Sequence, residues 1–497
     1  MDNDDDEILS VSEGAGWFLG GHVIKQSVSL CTNVIITNIL GATLYGVYAY
    51  LKVLLSVVRV FCKLGSKQSV LRFLPEYRDE GRDTGTIITL AYGTSLVISI
   101  IFSLLIYILS PMIASYTIQS QIFINTLRII AIVIPSYTLS NITISIFQSI
   151  GRMEYNILIS SVLDPVFRLV FVGSAVILGF SVVGATAGLV VASIIVFIIG
   201  IWLLRVKTDI LYFEVPEKRE VKKYYNYSIP MTFNEVGNFL YNRVDIFMIA
   251  WFLSAEDIGV YNIAVTVAGL LILPLTAFNQ LFPPIASRLY HNKNIEELSV
   301  LYQRITRLVL TISIVPAIIL ILYSQEVLHI FGEEFTQGSM ILILFSASQL
   351  VNCIVGPSGY LLMMADHQYI TFVNQVSSGI LNVLLNIVLI LEFGVIGAAI
   401  ATATTLALIN GIRLLQVYHF IGITPYSHRL SKPIISGLIS AIIMGLVKSV
   451  LSHTVLLVVG SMTGMGVFLT LLYLFGIEEE DKVLLSQLLS QFQNIYD

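Results

Sequence analysis

Ionisable side chains set inside long apolar stretches are the positions in this sequence that could do chemistry. Lys25, Lys52 and Arg59 interrupt the first two such stretches, Asp164 and Arg168 the fifth, and Glu235, Arg243 and Asp245 the seventh, where Asn234, Asn238 and Asn242 stand around them. A charge at the centre of a bilayer costs roughly 3 kcal/mol or more, so it persists where a cavity, a partner or a task offsets that cost. Lys25 and Lys52 lie near the middle of their stretches, too deep to reach water easily along lipid. The expectation is a polar, partly cationic cavity built from Lys25, Lys52, Arg59, Arg243, Asn234, Asn238 and Asn242, suited to an anionic substrate such as a lipid-linked phosphate. Glu235, Asp245 and Asp164 are the carboxylates that could couple to an ion. Asp164 and Arg168 are four apart, share one helical face and can neutralise each other, so they also read as a structural pair. Arg243 and Asp245 are two apart, face different ways and need partners elsewhere. Arg128, Arg413 and Lys448 sit near stretch ends and can snorkel to headgroups. His22 reads as a packing or hydrogen-bonding residue.

Enzyme signatures are missing from the sequence. It has no H-E-x-x-H, no P-loop and no G-x-G-x-x-G before a helix, and an Asp-x-Asp pattern occurs only in the acidic stretch Asp2–Asp6. Cys31, Cys62 and Cys353 are odd in number and scattered, which gives neither a disulfide framework nor a metal-ligand spacing. No catalytic residue, metal or cofactor is expected; coupling, where present, would run through H+ or Na+. Nucleic acid is not an expected partner.

The elements that must position these charges follow from composition. The chain has 497 residues, 56% of them hydrophobic and only 12% charged, with a mean hydropathy of +0.85. A soluble domain carries about twice that charge fraction, so this is an all-α integral membrane protein. A span needs about 20 apolar residues. Fourteen are expected, at 15–37, 43–62, 86–109, 122–148, 156–178, 182–204, 228–252, 258–282, 308–324, 338–364, 370–391, 395–415, 433–452 and 455–475. Loops on one side hold nineteen Lys and Arg, from Lys63 to Lys482; the opposite loops hold none. The positive-inside rule then puts both termini in the cytoplasm.

The chain also repeats itself. At an offset of 213, Gly46-Val47-Tyr48 matches Gly259-Val260-Tyr261, with Leu40 over Leu253 and Ala42 over Ala255. A second island at the same offset sets Leu178, Phe180, Val182, Gly184 and Ala185 over Leu391, Phe393, Val395, Gly397 and Ala398. The offset carries span one onto span seven. Six spans is an even number, so the copies are parallel, related by a pseudo-two-fold axis along the membrane normal with a site between them. The expected organisation is an acidic cytoplasmic tail at 1–14, an N-lobe at 15–204, a basic cytoplasmic linker at 205–227 and a C-lobe at 228–415. Two further spans at 433–475 and an amphipathic cytoplasmic tail at 476–497 complete it.

Fourteen spans in two parallel six-span lobes plus a terminal pair resemble the polysaccharide and lipid-linked oligosaccharide flippases of the multidrug and oligosaccharide exporter superfamily. Local sequence agrees. SVLRFLPEYRDEG at 69–81 resembles that family's amphipathic segment after its second span, and GVYNIA at 259–264 its eighth-span start. FGEEF at 331–335 and NVLLNIVLILEFGVIGAAIATA at 382–403 are similar to its loop before the tenth span and its eleventh-to-twelfth hairpin. The resemblance implies alternating access that carries a polyprenyl-phosphate-linked glycan from the cytoplasmic to the outer leaflet of a prokaryotic cell membrane. It implies the glycan lipid and membrane lipid as partners, with glycosyltransferases or a polymerase or ligase nearby. It supplies no fixed set of catalytic residues. Two other readings stand beside it: an ion-coupled drug antiporter of the same architecture, which calls for a cavity dominated by carboxylates, and a membrane enzyme acting on lipid-linked sugars, which calls for a catalytic pair at one membrane face.

The loop charges make a testable prediction. A cytoplasm-active reporter fused after Arg219 should be active, and fusions near Glu256 and Glu333 inactive. Matching signals at Arg219 and Glu256 would refute the topology.

Overall fold

The computed structural model describes the backbone of residues 2–451 and 453–476, and side chains from residue 20 onward except those of residues 234, 238–243, 281, 453 and 454. The side chains of Asn234, Asn238, Asn242 and Arg243, those of the acidic segment 1–14, and the tail beyond Gly476 lie outside the described residues. In chain order the helices are α1 (Asp2–Lys63), α2 (Ser66–Asp79), α3 (Gly85–Tyr116), α4 (Gln121–Ser149), α5 (Met153–Ile157), α6 (Asp164–Ile177), α7 (Ser181–Lys207), α8 (Lys218–Phe252) and α9 (Ala255–Ala268). Then follow α10 (Leu273–His291), α11 (Ile295–Leu322), α12 (Ser324–His329), α13 (Ser339–Val355), α14 (Ser358–Met364), α15 (Gln368–Ile421), α16 (Ser431–Lys448) and α17 (His453–Leu474). No strand occurs among the described residues. The protein is an all-helical, multi-pass membrane protein. Backbone groups in hydrocarbon find no water, and a helix satisfies them within its own segment.

Eleven helical stretches among the described residues are long and apolar enough to cross a membrane. Two of them are too long for one crossing. Gly20–Lys63 has 44 residues and Gln368–Ile421 has 54, or about 66 and 80 Å of helix against a hydrocarbon core of about 30 Å. Both are broken by a glycine in a conformation that L side chains avoid: Gly41 at φ 72 and Gly394 at φ 58. The breaks fall between expected spans one and two, and between eleven and twelve. In α15 the halves pair side by side, with Asn374 Nδ2 donating to Gln416 Oε1 at 2.6 Å and Asn382 Nδ2 to Thr402 Oγ1 at 3.2 Å. Helix α8, which covers expected span seven, is not among the eleven; it carries Glu235, Arg243 and Asp245.

By contacts the chain forms two compact units, Met1–Gly259 and Val260–Asp497. In the first, α4 packs between α3 and α7, α6 lies on α7, and α1 touches α3, α4, α6 and α8. Its core gathers Phe73, Tyr77, Ile146, Phe147, Leu204 and Tyr224. Helix α2 joins that core because its buried residues, Ser66, Ser69, Val70, Phe73, Leu74 and Tyr77, recur every three or four positions. Its other face is basic, and Lys223 Nζ of α8 donates to Glu76 Oε1 at 2.6 Å. That hydrogen bond holds the Glu76 carboxyl below the usual carboxylate range. In the second unit α13 packs on α11 and α15, α10 on α11 and α14, and α16 on α17 and α11.

One crossing in the first unit uses both copies of the repeated motif. A Cβ added at Gly46 of α1 would lie 1.7 Å from the Ala255 carbonyl oxygen of α9, and one at Gly259 would lie 2.2 Å from the Ala42 carbonyl oxygen. Backbone thus meets backbone, as small residues allow between membrane helices. Gly46→Leu should lower the thermal stability of the purified protein by the equivalent of about 1–3 kcal/mol, the usual cost of overpacking. Gly411→Ala, where an added Cβ meets nothing within 4 Å, should melt as the parent does; equal melting of Gly46→Leu and parent would refute the contact.

Candidate functional site

The charged residues of α1 and α6 come together inside the first unit. A cavity of ≈ 200 Å³ is lined by Lys25 and Arg59 of α1, Tyr137, Ser140 and Asn141 of α4, Ser160 just before α6, Asp164 at its start, and Ser193 of α7. Local sequence explains the placement. Gly21 runs so close to the fifth span that an added Cβ would lie 2.5 Å from Ile157 Cγ2 and 3.2 Å from Ser161 Cβ; Lys25 stands one turn further along the same face. The fifth span is not uniform: residues Leu158–Leu163 form a π-helical turn between α5 and α6, and Pro165 follows at once. A proline cannot donate to the carbonyl four residues back. Such turns recur at functional sites, and this one delivers Ser160 and Asp164 to the cavity.

Arg168 organises the floor. Its Nε donates to Asp164 Oδ1 at 2.9 Å, its Nη2 lies 2.8 Å from Asp164 Oδ2, and Nη2 also donates to the Tyr137 hydroxyl at 2.7 Å. The pair is largely buried, with side-chain exposures of 17% for Asp164 and 20% for Arg168. A two-pronged guanidinium–carboxylate contact is the strong geometry for such a pair. Tyr137 serves a second cation: the Arg59 guanidinium lies 4.6 Å from its ring centroid and that of Arg168 5.0 Å, a cation–π arrangement. Asp164 neutralises one cation of three. Lys25 and Arg59 have no carboxylate partner among the described residues, so the cavity carries net positive charge beside hydroxyl and amide donors.

Of the other sequence candidates, Lys52, Glu235 and Asp245 do not line this cavity, and Asn234, Asn238, Asn242 and Arg243 have side chains outside the described ones. Lys52 is half-buried, with its ammonium 5.4 Å from the Tyr48 ring, and does not line the cavity. The Glu235 carboxylate accepts from Lys63 Nζ and from Gln68 Nε2, each at 2.6 Å. Lys63, counted above among the loop charges, is therefore a buried ion-pair partner. Asp245 is buried, and its Oδ1 accepts from the Ile246 backbone N–H at 2.8 Å. Reading charges alone missed Tyr137, Ser140, Asn141, Ser160 and Ser193. A signal existed: Ser136, Tyr137, Ser140 and Asn141 form a polar stripe at helical spacing in an otherwise apolar span. No group of three or more His, Cys, Asp or Glu that could hold a metal occurs among the described residues. What the cavity can do is accept an anionic group the size of a phosphate.

Comparison with known proteins follows the same lines. The profile of a polysaccharide biosynthesis protein family matches residues 11–289, and the MatE profile matches residues 230–388. A probable low-salt glycan biosynthesis flippase of Haloferax volcanii is 24% identical over 444 residues, 88% of this chain and 90% of the relative. Among solved structures, the lipid II flippase MurJ in an inward closed conformation superposes with a TM-score of 0.75 at 16% identity, over 92% of this chain and 97% of that one. An inward-facing multidrug resistance MATE transporter gives 0.64 at 17% identity, over 80% and 94%. At these identities the structures establish the fold.

The ion pair is testable without a substrate. Asp164→Asn leaves a buried guanidinium uncompensated and should destabilise by about 3–5 kcal/mol in equivalent terms, read as a lower melting temperature. The double variant Asp164→Asn with Arg168→Leu should recover most of that loss. A double variant no more stable than Asp164→Asn would show that Asp164 matters for something other than neutralising Arg168.

Proposed function

The chain belongs to the polysaccharide biosynthesis protein family, and we propose that it is a flippase that carries a polyprenyl-phosphate-linked oligosaccharide across the cytoplasmic membrane. The observation that carries this reading is the cationic cavity of the first unit. Among the described residues, Lys25 and Arg59 have no carboxylate partner, and they stand beside a third cation that Asp164 already neutralises. An anionic phosphate is the cargo group that gains most there, since it meets two cations that no described carboxylate engages, Arg59 half-buried and Lys25 exposed, together with several donors. A volume of ≈ 200 Å³ suits that one group; the sugars would lie outside it. The name of the Haloferax relative supports the same reading.

In this proposal the six-span lobes 15–204 and 228–415 alternate access by moving against each other, with both termini in the cytoplasm. The protein acts without catalysis or a cofactor, in a prokaryotic cell membrane. Glycosyltransferases would supply its cargo, and a polymerase or ligase would consume it. Proton or sodium coupling would run through the carboxylates Asp164, Glu235 or Asp245. The drug antiporter reading is supported by the MatE match over 230–388. It fits the first-unit cavity less well, because the carboxylate there is committed to Arg168 and a cationic drug would face Lys25 and Arg59.

The experiment is export of surface glycan in a strain lacking its own flippase, with membrane abundance measured in parallel. Lys25→Gln and Arg59→Gln should each cut export about tenfold or more at unchanged abundance, as loss of a charge-assisted contact of about 1.5–3 kcal/mol implies. Lys25→Arg should keep partial export, since the charge is retained. Full export by both neutral variants would overturn the anionic-cargo reading.

A further inference from the structure

A second concavity of the first unit has the opposite character. It is a groove of ≈ 650 Å³ between α3, α7 and the segment that follows α7. Tyr92 and Leu96 of α3, Ile198, Trp202 and Arg205 of α7, and Phe213 of the following segment form its walls. That segment is held in place over α3. The Tyr212 hydroxyl hydrogen-bonds with Thr84 Oγ1 at 2.9 Å, the Glu214 backbone N–H donates to Thr89 Oγ1 at 3.0 Å, and the Phe213 ring meets the edge of Tyr92 at 6.2 Å between centroids.

Three features say what should fill it. The first is the surface it opens on. Leu96, Ile198, Trp202 and Phe213 are exposed, and so are Val97, Ile100 and Leu104 further along α3 and Val191 and Ile194 further along α7. On a membrane-spanning unit such continuous apolar faces look into lipid. The second is the depth of the mouth. Trp202 and Arg205 stand in the last two turns of α7, the residue types that sit at the hydrocarbon–headgroup boundary, at the end that loop charge assigns to the cytoplasmic, anionic leaflet. The third is charge. Arg205 is exposed and makes no ion pair among the described residues, and Lys207 follows it. Carboxyls on the adjoining segments are Asp83, Asp209, Glu214, Glu217 and Glu220. Those of Asp83 and Glu214 hydrogen-bond to each other, which holds Asp83 below and Glu214 above the usual carboxylate range.

We propose that this groove binds one anionic phospholipid of the bilayer, its phosphate on Arg205 and an acyl chain laid along Leu96, Ile198 and Phe213. The volume lies within the range of ordinary small-molecule sites, whereas a polyprenyl chain of many isoprene units would overrun it. The occupant would pack against Phe213 and so help to hold the segment joining α7 to α8 against α3. The site is separate from the polar cavity: the two share no lining residue.

Native mass spectrometry of the full-length protein, released from detergent with dioleoyl phosphatidylglycerol or dioleoyl phosphatidylcholine, tests this. The parent should retain one phosphatidylglycerol in preference to phosphatidylcholine. Arg205→Gln should weaken that preference about fivefold, the share of one basic side chain at an anionic surface. Gly93 lies on the groove, and an added Cβ there meets nothing within 4 Å. Gly93→Trp should therefore fill the groove and lose the bound lipid of either headgroup, while Gly93→Ala leaves the groove open and should bind as the parent does. Equal retention of the two lipids by the parent, or undiminished phosphatidylglycerol in Gly93→Trp, would overturn the proposal. So would displacement of phosphatidylglycerol by equimolar undecaprenyl phosphate, which would make the groove a carrier site instead.

Discussion

The cost of an unpaired charge away from water governs the first unit. Arg168 could not be held on the fifth span by packing alone. Asp164 meets it with both carboxylate oxygens and the Tyr137 hydroxyl takes a further N–H. Once Tyr137 is fixed by that bond, its ring is available to the Arg59 guanidinium. One ion pair thus positions a phenol, and the phenol positions a second cation. The π-helical turn at 158–163 is part of the same arrangement, because it sets the register in which Asp164, Pro165 and Arg168 leave the preceding helix. Two guanidiniums near one ring raise the local positive potential. The Asp164 carboxylate and the aromatic face moderate their repulsion.

The internal repeat has a physical signature beyond matching letters. At an offset of 213, Ala42 and Gly46 correspond to Ala255 and Gly259. The close approaches join Gly46 to Ala255 and Gly259 to Ala42. Residue i of one copy meets residue j of the other, and j meets i, which is the reciprocity of a two-fold contact. The same offset pairs Ser181 with Gly394, and both take positive φ, 54° and 58°. Glycine adopts that conformation at no steric cost, whereas the serine that opens α7 is held there by its neighbours. Backbone geometry has been kept at this position although the residue type has not.

Much of this was legible in the sequence, because hydrocarbon imposes simple rules. Length and apolarity marked the chain as a bundle of membrane helices, and the amphipathic α2 after the second span was expected from the family resemblance at 69–81; the three- and four-residue spacing of Val70, Phe73, Leu74 and Tyr77 is what makes it so. The breaks at Gly41 and Gly394 also fall where loops were expected between spans. The site was legible in part. Charge in an apolar stretch pointed to Lys25, Arg59, Asp164 and Arg168, and spacing alone suggested that the last two could pair. Charge could not show which cations would share a cavity, since that depends on how α1, α4, α6 and α7 pack. Nor could it show that Lys63, four residues after Arg59, turns to Glu235, a partner 172 positions away. The hydroxyl and amide residues of α4 were overlooked because a serine or asparagine in a span is cheap enough to pass as structural, often bonding to the carbonyl one turn back. Ser140 and Asn141 do so, to the Ser136 and Tyr137 carbonyls.

The distribution of partners separates scaffold from site. Lys63 has Glu235 and Arg168 has Asp164, and in each case the carboxylate is held by more than one donor. Neither cation is free to meet a cargo without first abandoning a contact that stabilises the fold. Lys25 and Arg59 differ. Among the described residues neither has a carboxylate partner: Lys25 is exposed, and Arg59 is half-buried with its guanidinium over the Tyr137 ring. An ion held away from water without a counter-charge is a net cost, so packing alone gives no reason for the half-buried Arg59. Among the described residues, Lys25 and Arg59 are thus the cations of this cavity that no carboxylate engages, and Asp164 with Arg168 forms the wall against which they are set.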